Sequence, residues 1–309
     1  MKFRTTRTYL AVPAHQVRLV KSAAASAADA VFLDLEDAVP PSQKDEALAT
    51  AIDAINHLEW GKKTVSVRVN VPSSSLIENE LSQLLRRAPR LDTVLVPKVE
   101  QVEQIHFLES IVTCPSMTRD GIGLEVMIET ALGLVNCDAI AASSPLIESL
   151  HFGVGDFSAS IGAKSVDIGL SPPSYQHPTR MDGGSYAGTT LDLWAYPMMR
   201  LLVAARAYGL RAVDGPCGAF RDAVLTRDLA LKAAAMGFDG KQVIHPKQLD
   251  ITRAAFTPTE LEVTQARSML DAISEAERAG KGAIQVEGKL VDYANVRMAR
   301  RVMAMADIE

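Results

Sequence analysis

Apolar and polar positions follow two rhythms along this chain. Short apolar, β-branched runs recur: TYLAVPA (8–14), AVFLDLE (30–36), TVSVRVN (64–70), TVLVPKV (93–99), GLEVMIE (123–129), SLHFGVG (149–155), LRAVDGP (210–216) and KQVIHP (241–246). Between them, apolar residues fall at helical spacing over 15–27, 43–58, 76–87, 101–111, 131–141, 191–208 and 221–236. Strand-length runs alternating with helical segments predict βα units and a parallel sheet. Eight such units close most simply as an α/β protein of the (β/α)8 TIM-barrel type. A doubly wound open sheet would want a glycine-rich phosphate turn after its first strand, and AVPAHQ is not one.

Two regions break the rhythm. Residues 157–189 are rich in Gly, Ser and Pro, and a loop that long inside a compact domain is usually functional or flexible. After Pro258 the pattern changes to a helix over 259–279, a glycine hinge AGKGA and a basic amphipathic helix over about 290–306. The expected organisation is therefore a barrel over 1–257 and a helical extension over 258–309. That extension could pack on the barrel or reach a neighbouring subunit. No internal repeat or low-complexity tract is visible.

Composition narrows the function classes. The chain has 309 residues, 48% of them hydrophobic and 22% charged, enough for a sizeable core. The net charge is −5 and the basic residues are scattered, which argues against a nucleic-acid partner. Cys114, Cys137 and Cys217 lie far apart with no CxxC spacing, as suits a reducing compartment. The N-terminal MKFRTTRTYLAVPA has no long apolar stretch, and no window approaches a membrane span. A cytoplasmic protein with no membrane partner is the expectation.

In a TIM barrel the active site collects where the strands end. Charged residues at those ends are Glu36 and Asp37 after strand two, Arg68 in strand three and Lys98 in strand four. Glu129, Asp156, Asp214 and His245 end strands five to eight. Glu129 in MIETALG and Asp156 in GVGDFSAS stand out, because each follows an apolar run and precedes small residues. Neighbouring strands lie about 4.8 Å apart, so the two carboxylates could share one ion. Without a cation they would repel and one would titrate high. An oxygen-only site with open positions suits Mg²⁺, which Mn²⁺ could replace, and no His or Cys shows the ligand spacing zinc prefers. The alternative is that each carboxylate caps the helix that follows. Arg68 could bind a carboxylate or a developing oxyanion, or else form a buried pair with Glu36 or Asp37. Those two acids could accept hydrogen bonds from waters around the ion, or simply favour a helix dipole. His245, before a proline, reads as a structural hydrogen-bonder. A Schiff-base role for Lys98 conflicts with its acidic surroundings, which do not depress an amine pKa.

Taken together, RTYLAVPA, LDLEDAVPP, SVRVN, VPKVE, EVMIETALG, GVGDFSASIG, VDGPCGAF and GFDGKQVIHPKQ resemble the citrate lyase β-subunit-like (HpcH/HpaI aldolase) family of acyl-CoA lyases. The likeness runs nearly the whole chain in order and includes EGKLVDYANVRMA in the tail. It implies a TIM barrel with a C-terminal lid, assembled as a homotrimer or hexamer. It implies Mg²⁺ on Glu129 and Asp156, and Arg68 on the reacting oxygen of the substrate. By the same match Asp292 is the general acid/base, delivered from the lid of an adjacent subunit. Lys21, Gly155, Val213 and Asp214 match positions that bind substrate or CoA. The implied reaction is reversible cleavage of a 3-hydroxyacyl-CoA acid, malyl-CoA or β-methylmalyl-CoA, to glyoxylate and acetyl-CoA or propionyl-CoA. Citramalyl-CoA cleavage, malyl-CoA hydrolysis and CoA-independent oxoacid aldol chemistry on the same scaffold are the alternatives. A regulatory, non-catalytic barrel would lack the metal pair or the lid acid, and this sequence has both. The chain departs from the family at Ala11, Ala14 and Gln16 near the first turn, and in VPSSSLIENE after Arg68, all where CoA and the small acid should be gripped.

Overall fold

The computed structural model describes residues 4–114, 121–164, 167–278, 284–286, 289–291 and 293–306. Its strands are β1 (Thr8–Pro13), β2 (Ala30–Asp34), β3 (Thr64–Arg68), β4 (Thr93–Val96), β5 (Gly123–Ile128), β6 (Ile147–Phe152), β7 (Gln176–Arg180), β8 (Tyr186–Thr190), β9 (Arg211–Asp214), β10 (Gly240–Val243), β11 (Ile284–Val286) and β12 (Lys289–Val291). Its α-helices are α1 (Val17–Ala24), α2 (Lys44–His57), α3 (Ile77–Arg87), α4 (Val102–Val112), α5 (Ala131–Val135), α6 (Cys137–Ala142), α7 (Val154–Ser160), α8 (Ala195–Ala207), α9 (Ala223–Met236), α10 (Leu249–Phe256), α11 (Glu260–Arg278) and α12 (Tyr293–Ala306). Eight parallel strands close a barrel in the order β1-β10-β9-β6-β5-β4-β3-β2. The (β/α)8 expectation holds.

Local sequence explains the outer helices. Helix α9 starts where the Asp222 side chain accepts from Leu225 N–H and stops at Gly237, whose φ of 110° suits glycine. Helix α4 opens on a reciprocal Gln101–Gln104 capping box.

Three levels of side chains fill the barrel along the strand direction. An apolar layer joins Tyr9, Ala30, Phe32, Leu95, Met127 and Val213, with Ala11 packed against it. On the side of the strand starts lies a polar network centred on Glu125. This buried carboxylate accepts from Tyr9 Oη, from Thr93 Oγ1 and Ser149 Oγ at 3.1 Å each, and from Arg211 at 3.1 Å. Burial alone would raise its pKa, but His151, Arg211 and Tyr9 outweigh that and hold it well below the usual carboxylate range. On the opposite side, two residues beyond Phe32 and Met127, come Asp34 and Glu129. That end is the mouth.

The structure corrects four sequence expectations. Strand β6 ends at Phe152, so Asp156 does not end a strand but lies in the first turn of α7. Strand β4 likewise ends before Lys98. Residues 157–189 are not all loop: β7 and β8 form an antiparallel hairpin in which Gln176 pairs with Thr190 and Arg180 with Tyr186, every residue exposed. The predicted helix 131–141 is divided at Asn136 into α5 and α6.

The chain splits into two compact units, 1–253 and 254–309, four residues before the boundary read from the pattern. In the second unit, Ile273 of α11 and Val296 of α12 form a small apolar cluster with Met269 and Leu270. The hairpin β11–β12 joins the same unit, with Ile284 opposite Val291. The hinge AGKGA and Asp292 lie outside the described residues. Among the described residues no helix is long and apolar enough to cross a membrane.

Candidate active site

Arg68 is the last residue of β3, and Asp34 is its register partner at the end of β2. The register brings the two side chains together in a bidentate pair. Arg68 Nε donates to Asp34 Oδ1 and Nη2 to Oδ2, each at 2.7 Å. Arg68 Nη1 also lies 3.3 Å from Glu36 Oε2, and the guanidinium sits 5.6 Å from the Phe32 ring centroid. Its pKa is raised: burial would lower it, and the Asp34, Glu36 and Glu129 charges overcome that. Asp34 was not singled out in the sequence, where Glu36 or Asp37 stood as Arg68's candidate partners. Alternation was the available signal, because Ala30, Phe32 and Asp34 share one face of β2.

Glu36 and Asp37 follow β2 in the turn to α2. Lys98 Nζ donates to Glu36 Oε1 at 2.5 Å and to Asp37 Oδ2 at 2.8 Å, and stands 3.8 Å from Asp156 Oδ1. Lys98 has a φ of 50°, the one positive value outside glycine among the described residues. In this conformation its backbone N–H donates to Glu129 Oε1 at 2.8 Å. Burial lowers the lysine pKa, but the acidic neighbours raise it overall, which removes the neutral amine a Schiff base needs.

Glu129 follows β5 directly and is 1% exposed. It does not cap α5, since Thr130 Oγ1 does so by accepting from Gly133 N–H at 3.0 Å. Gly153, in the β6–α7 turn, makes room for it: a Cβ there would fall 2.2 Å from Glu129 Oε2. Burial, reinforced by the charges of Asp156 and Glu36, pushes the Glu129 carboxyl up to about 8 despite Arg68 and the Lys98 amide. Asp156 is about two-fifths exposed and opens the site to solvent. Gly155 stands beside it, where an added Cβ would meet only Ile168, at 3.9 Å.

The structure thus gathers Glu36, Asp37, Arg68, Lys98, Glu129 and Asp156, and adds Asp34. Other predicted residues lie elsewhere. Asp214 pairs with buried Lys241, Nζ to Oδ2 at 2.5 Å. Val213 belongs to the apolar layer below the mouth. Lys21, in the last turn of α1, lines a cavity of about 270 Å³ with Val17, Val20 and Asp53. His245 accepts from Lys247 N–H, a structural bond as expected.

The donor set fits Mg²⁺. Glu129 and Asp156 offer only oxygens, and burial together with the Asp156 charge pushes the Glu129 carboxyl up. Among the described residues no three His, Cys, Asp or Glu side chains form a ready-made cage. Two carboxylates with open positions beside them suit an ion that keeps waters and accepts substrate oxygens.

Comparison with known proteins gives the same picture over the whole chain. It is 36% identical to an L-malyl-CoA/β-methylmalyl-CoA lyase of Cereibacter sphaeroides, over 99% of this chain and 96% of the relative. It is 32% identical to a (3S)-malyl-CoA thioesterase of the same species, over 97% and 94%. The crystal structure of CitE from Mycobacterium tuberculosis, in complex with magnesium, acetoacetate and coenzyme A, superposes with a TM-score of 0.72 at 29% identity, covering 97% of this chain and 98% of that one. The family model for HpcH/HpaI aldolase/citrate lyase matches residues 7–246, from the first strand of the barrel to the turn after the last. By sequence and by barrel, this chain belongs to the HpcH/HpaI aldolase/citrate lyase family.

Proposed function

We propose that this chain is a Mg²⁺-dependent acyl-CoA lyase that reversibly cleaves the C–C bond of a 3-hydroxyacyl-CoA acid, malyl-CoA or β-methylmalyl-CoA, giving glyoxylate and acetyl-CoA or propionyl-CoA. The observation that carries this reading is the buried Glu129 carboxylate, held by the Lys98 amide beside Asp156 at the mouth that also carries the clamped Arg68. Mg²⁺, or Mn²⁺ in its place, would sit on Glu129 and Asp156 and supply a Lewis acid for the substrate's carboxylate and hydroxyl oxygens. Arg68 neutralises the charge that builds on the reacting oxygen. Asp34 holds its guanidinium in one orientation, so no reorganisation is needed during the reaction. In the cleavage direction the hydroxyl proton passes to solvent, the C–C bond breaks and its electron pair passes to the thioester α-carbon. Asp292 returns a proton to that carbon, and in condensation removes one from it.

Several further assignments belong to the same proposal. Lys21, Gly155, Val213 and Asp214 contact the acyl-CoA. Residues 258–309 act as a lid that brings Asp292 to a neighbouring subunit in a homotrimer or hexamer. The protein works in the cytoplasm.

Incubation of the purified protein with Mg²⁺ and malyl-CoA, β-methylmalyl-CoA or citramalyl-CoA, read by mass spectrometry, tests the reaction. An oxoacid plus a shorter acyl-CoA is expected, and the oxoacid names the substrate. Free CoA with intact malate would replace the lyase by a thioesterase, the activity in the name of a 32%-identical relative. Three unchanged substrates would refute the reading.

A further inference from the structure

We infer that Ile168 is a specificity-determining residue: it is the apolar wall against which a methyl group on the substrate's scissile bond packs. The inference rests on the proposed function, with the substrate held at Asp156, and it names what separates methylated from unmethylated substrates.

Ile168 lies between α7 and the exposed hairpin, outside every helix and strand. Its side chain is 41% exposed, yet its backbone is firmly held. Gly218 N–H donates to Ile168 O at 3.0 Å. The next residue, Gly169, has a φ of 93°, and a Cβ there would fall 3.0 Å from Pro216 O. A Cβ on Gly218 would come 3.1 Å from Ile168 Cβ. Residues 215–218 follow β9 and are themselves anchored. Buried Lys241 donates through Nζ to Gly215 O at 2.6 Å, and buried Gln248 through Nε2 to Cys217 O at 3.0 Å. Two glycines and two buried polar side chains thus fix an isoleucine that the core leaves partly open.

The tip of that isoleucine reaches Gly155, the residue before Asp156. A Cβ on Gly155 would stand 3.9 Å from Ile168 Cδ1 and 4.0 Å from Cγ1, ordinary van der Waals contact. Apart from the chain neighbours and the backbone of α7, no other atom comes within 4 Å of that position. Gly155 and Ile168 therefore leave one approach to the half-open Asp156 clear and line it with carbon. The side chains gathered at the mouth are charged, and none of them favours a methyl group over water. A methyl group can reach Ile168 from either carbon of the bond that breaks. In β-methylmalyl-CoA it sits on the carbon next to the thioester, and in citramalyl-CoA on the carbon that bears the hydroxyl. Malyl-CoA has neither.

Steady-state kinetics of the full chain in Mg²⁺ with these three substrates tests this. The quantity read is the ratio of kcat/KM for each methylated substrate to that for malyl-CoA. Ile168→Ala should lower one of the two ratios about tenfold, the low end of what one methyl group is worth in an apolar pocket, because the wall covers one side. The ratio that falls identifies the carbon whose methyl group meets Ile168. Ile168→Val and Ile168→Thr have nearly the same shape and differ by a hydroxyl, so Val should keep most of the ratio and Thr should lose it as Ala does. A merely structural role would move all three substrates together. Gly155→Ala, whose added methyl group covers the same face of Ile168, should lower the same ratio. Both ratios within about twofold of wild type in Ile168→Ala and Ile168→Thr, or an equal loss on all three substrates, overturns the inference and leaves the proposed function standing. A wild type that cleaves malyl-CoA alone does the same. Wild-type silence on all three overturns both.

Discussion

At the scale of single residues, Glu129 shows how a binding site is built against stability. Its folded-state pKa of about 8 lies above the 4.5 of an ordinary glutamate. Between those values the folded chain binds a proton that the unfolded chain does not, so this contribution to stability is fully present below about 4.5 and is lost as pH rises through about 8. Glu129→Gln keeps the shape and removes the charge. In EDTA at pH 9 the variant should be more stable than wild type by about 1–3 kcal/mol, the usual penalty of a poorly compensated buried polar group. At pH 5 the two should be close. Urea denaturation at both pH values measures the difference, and parallel pH profiles would show that the buried carboxylate is compensated after all. Residue chemistry of this kind was half legible in the sequence. The Glu129–Asp156 pair, its repulsion and the acidic surroundings of Lys98 were legible from charged residues placed just after apolar strand-length runs, although Asp156 and Lys98 lie beyond the strands themselves. Asp34 escaped notice because LDLED reads as one acidic entry to a helix, although only Asp34 lies within the strand and faces the barrel interior.

At the scale of elements, the β6–α7 turn decides how the site is assembled. FGVG looks like a strand because its apolar residues are large and β-branched, yet β6 stops at Phe152. The cause lies in tertiary contacts: Glu129 occupies the space beside Gly153, so the chain must turn where only glycine fits. The exposed hairpin 176–190 was hidden for the opposite reason, since neither face is buried and no alternation marks it. The long apolar strands and amphipathic helices were legible because burial in the barrel imposes the pattern directly. The two glycines of the turn separate the proposed roles. Gly153→Ala would place a methyl group 2.4 Å from Glu129 Cβ and should weaken Mg²⁺ binding at least about tenfold, a little over 1 kcal/mol. Gly155→Ala meets only Ile168, at 3.9 Å, so it should leave fold and Mg²⁺ affinity unchanged while raising KM for the acyl-CoA. Titration calorimetry and steady-state kinetics on both proteins give the comparison. Equal effects of the two substitutions on metal affinity would remove the distinction.

At the scale of the whole molecule, the chain separates the groups the proposed reaction would use. Arg68, Glu129 and Asp156 belong to the unit 1–253, whereas Asp292 belongs to 254–309. The second unit is short, and its small cluster of Ile273, Val296, Met269 and Leu270 is a modest core. Such a unit is suited to act on a partner surface rather than as an independent domain, and the proposed lid would place its Asp292 in a neighbouring subunit's site. Co-expression of Arg68→Ala and Asp292→Ala chains tests this, because neither homo-oligomer has an intact site. If sites are shared, a site is intact wherever a chain that retains Arg68 receives Asp292 from a neighbour that retains it, so the tandem-purified mixed oligomer should recover about a third of wild-type activity as a trimer and about a quarter as a hexamer. If each chain completes its own site, every site in the mixture lacks one residue and activity stays at the level of the single variants. The assay requires only differently tagged chains, tandem purification of the mixed oligomer and the lyase measurement described above. Inactivity of a mixed oligomer that has been shown to form would return Asp292 to its own subunit.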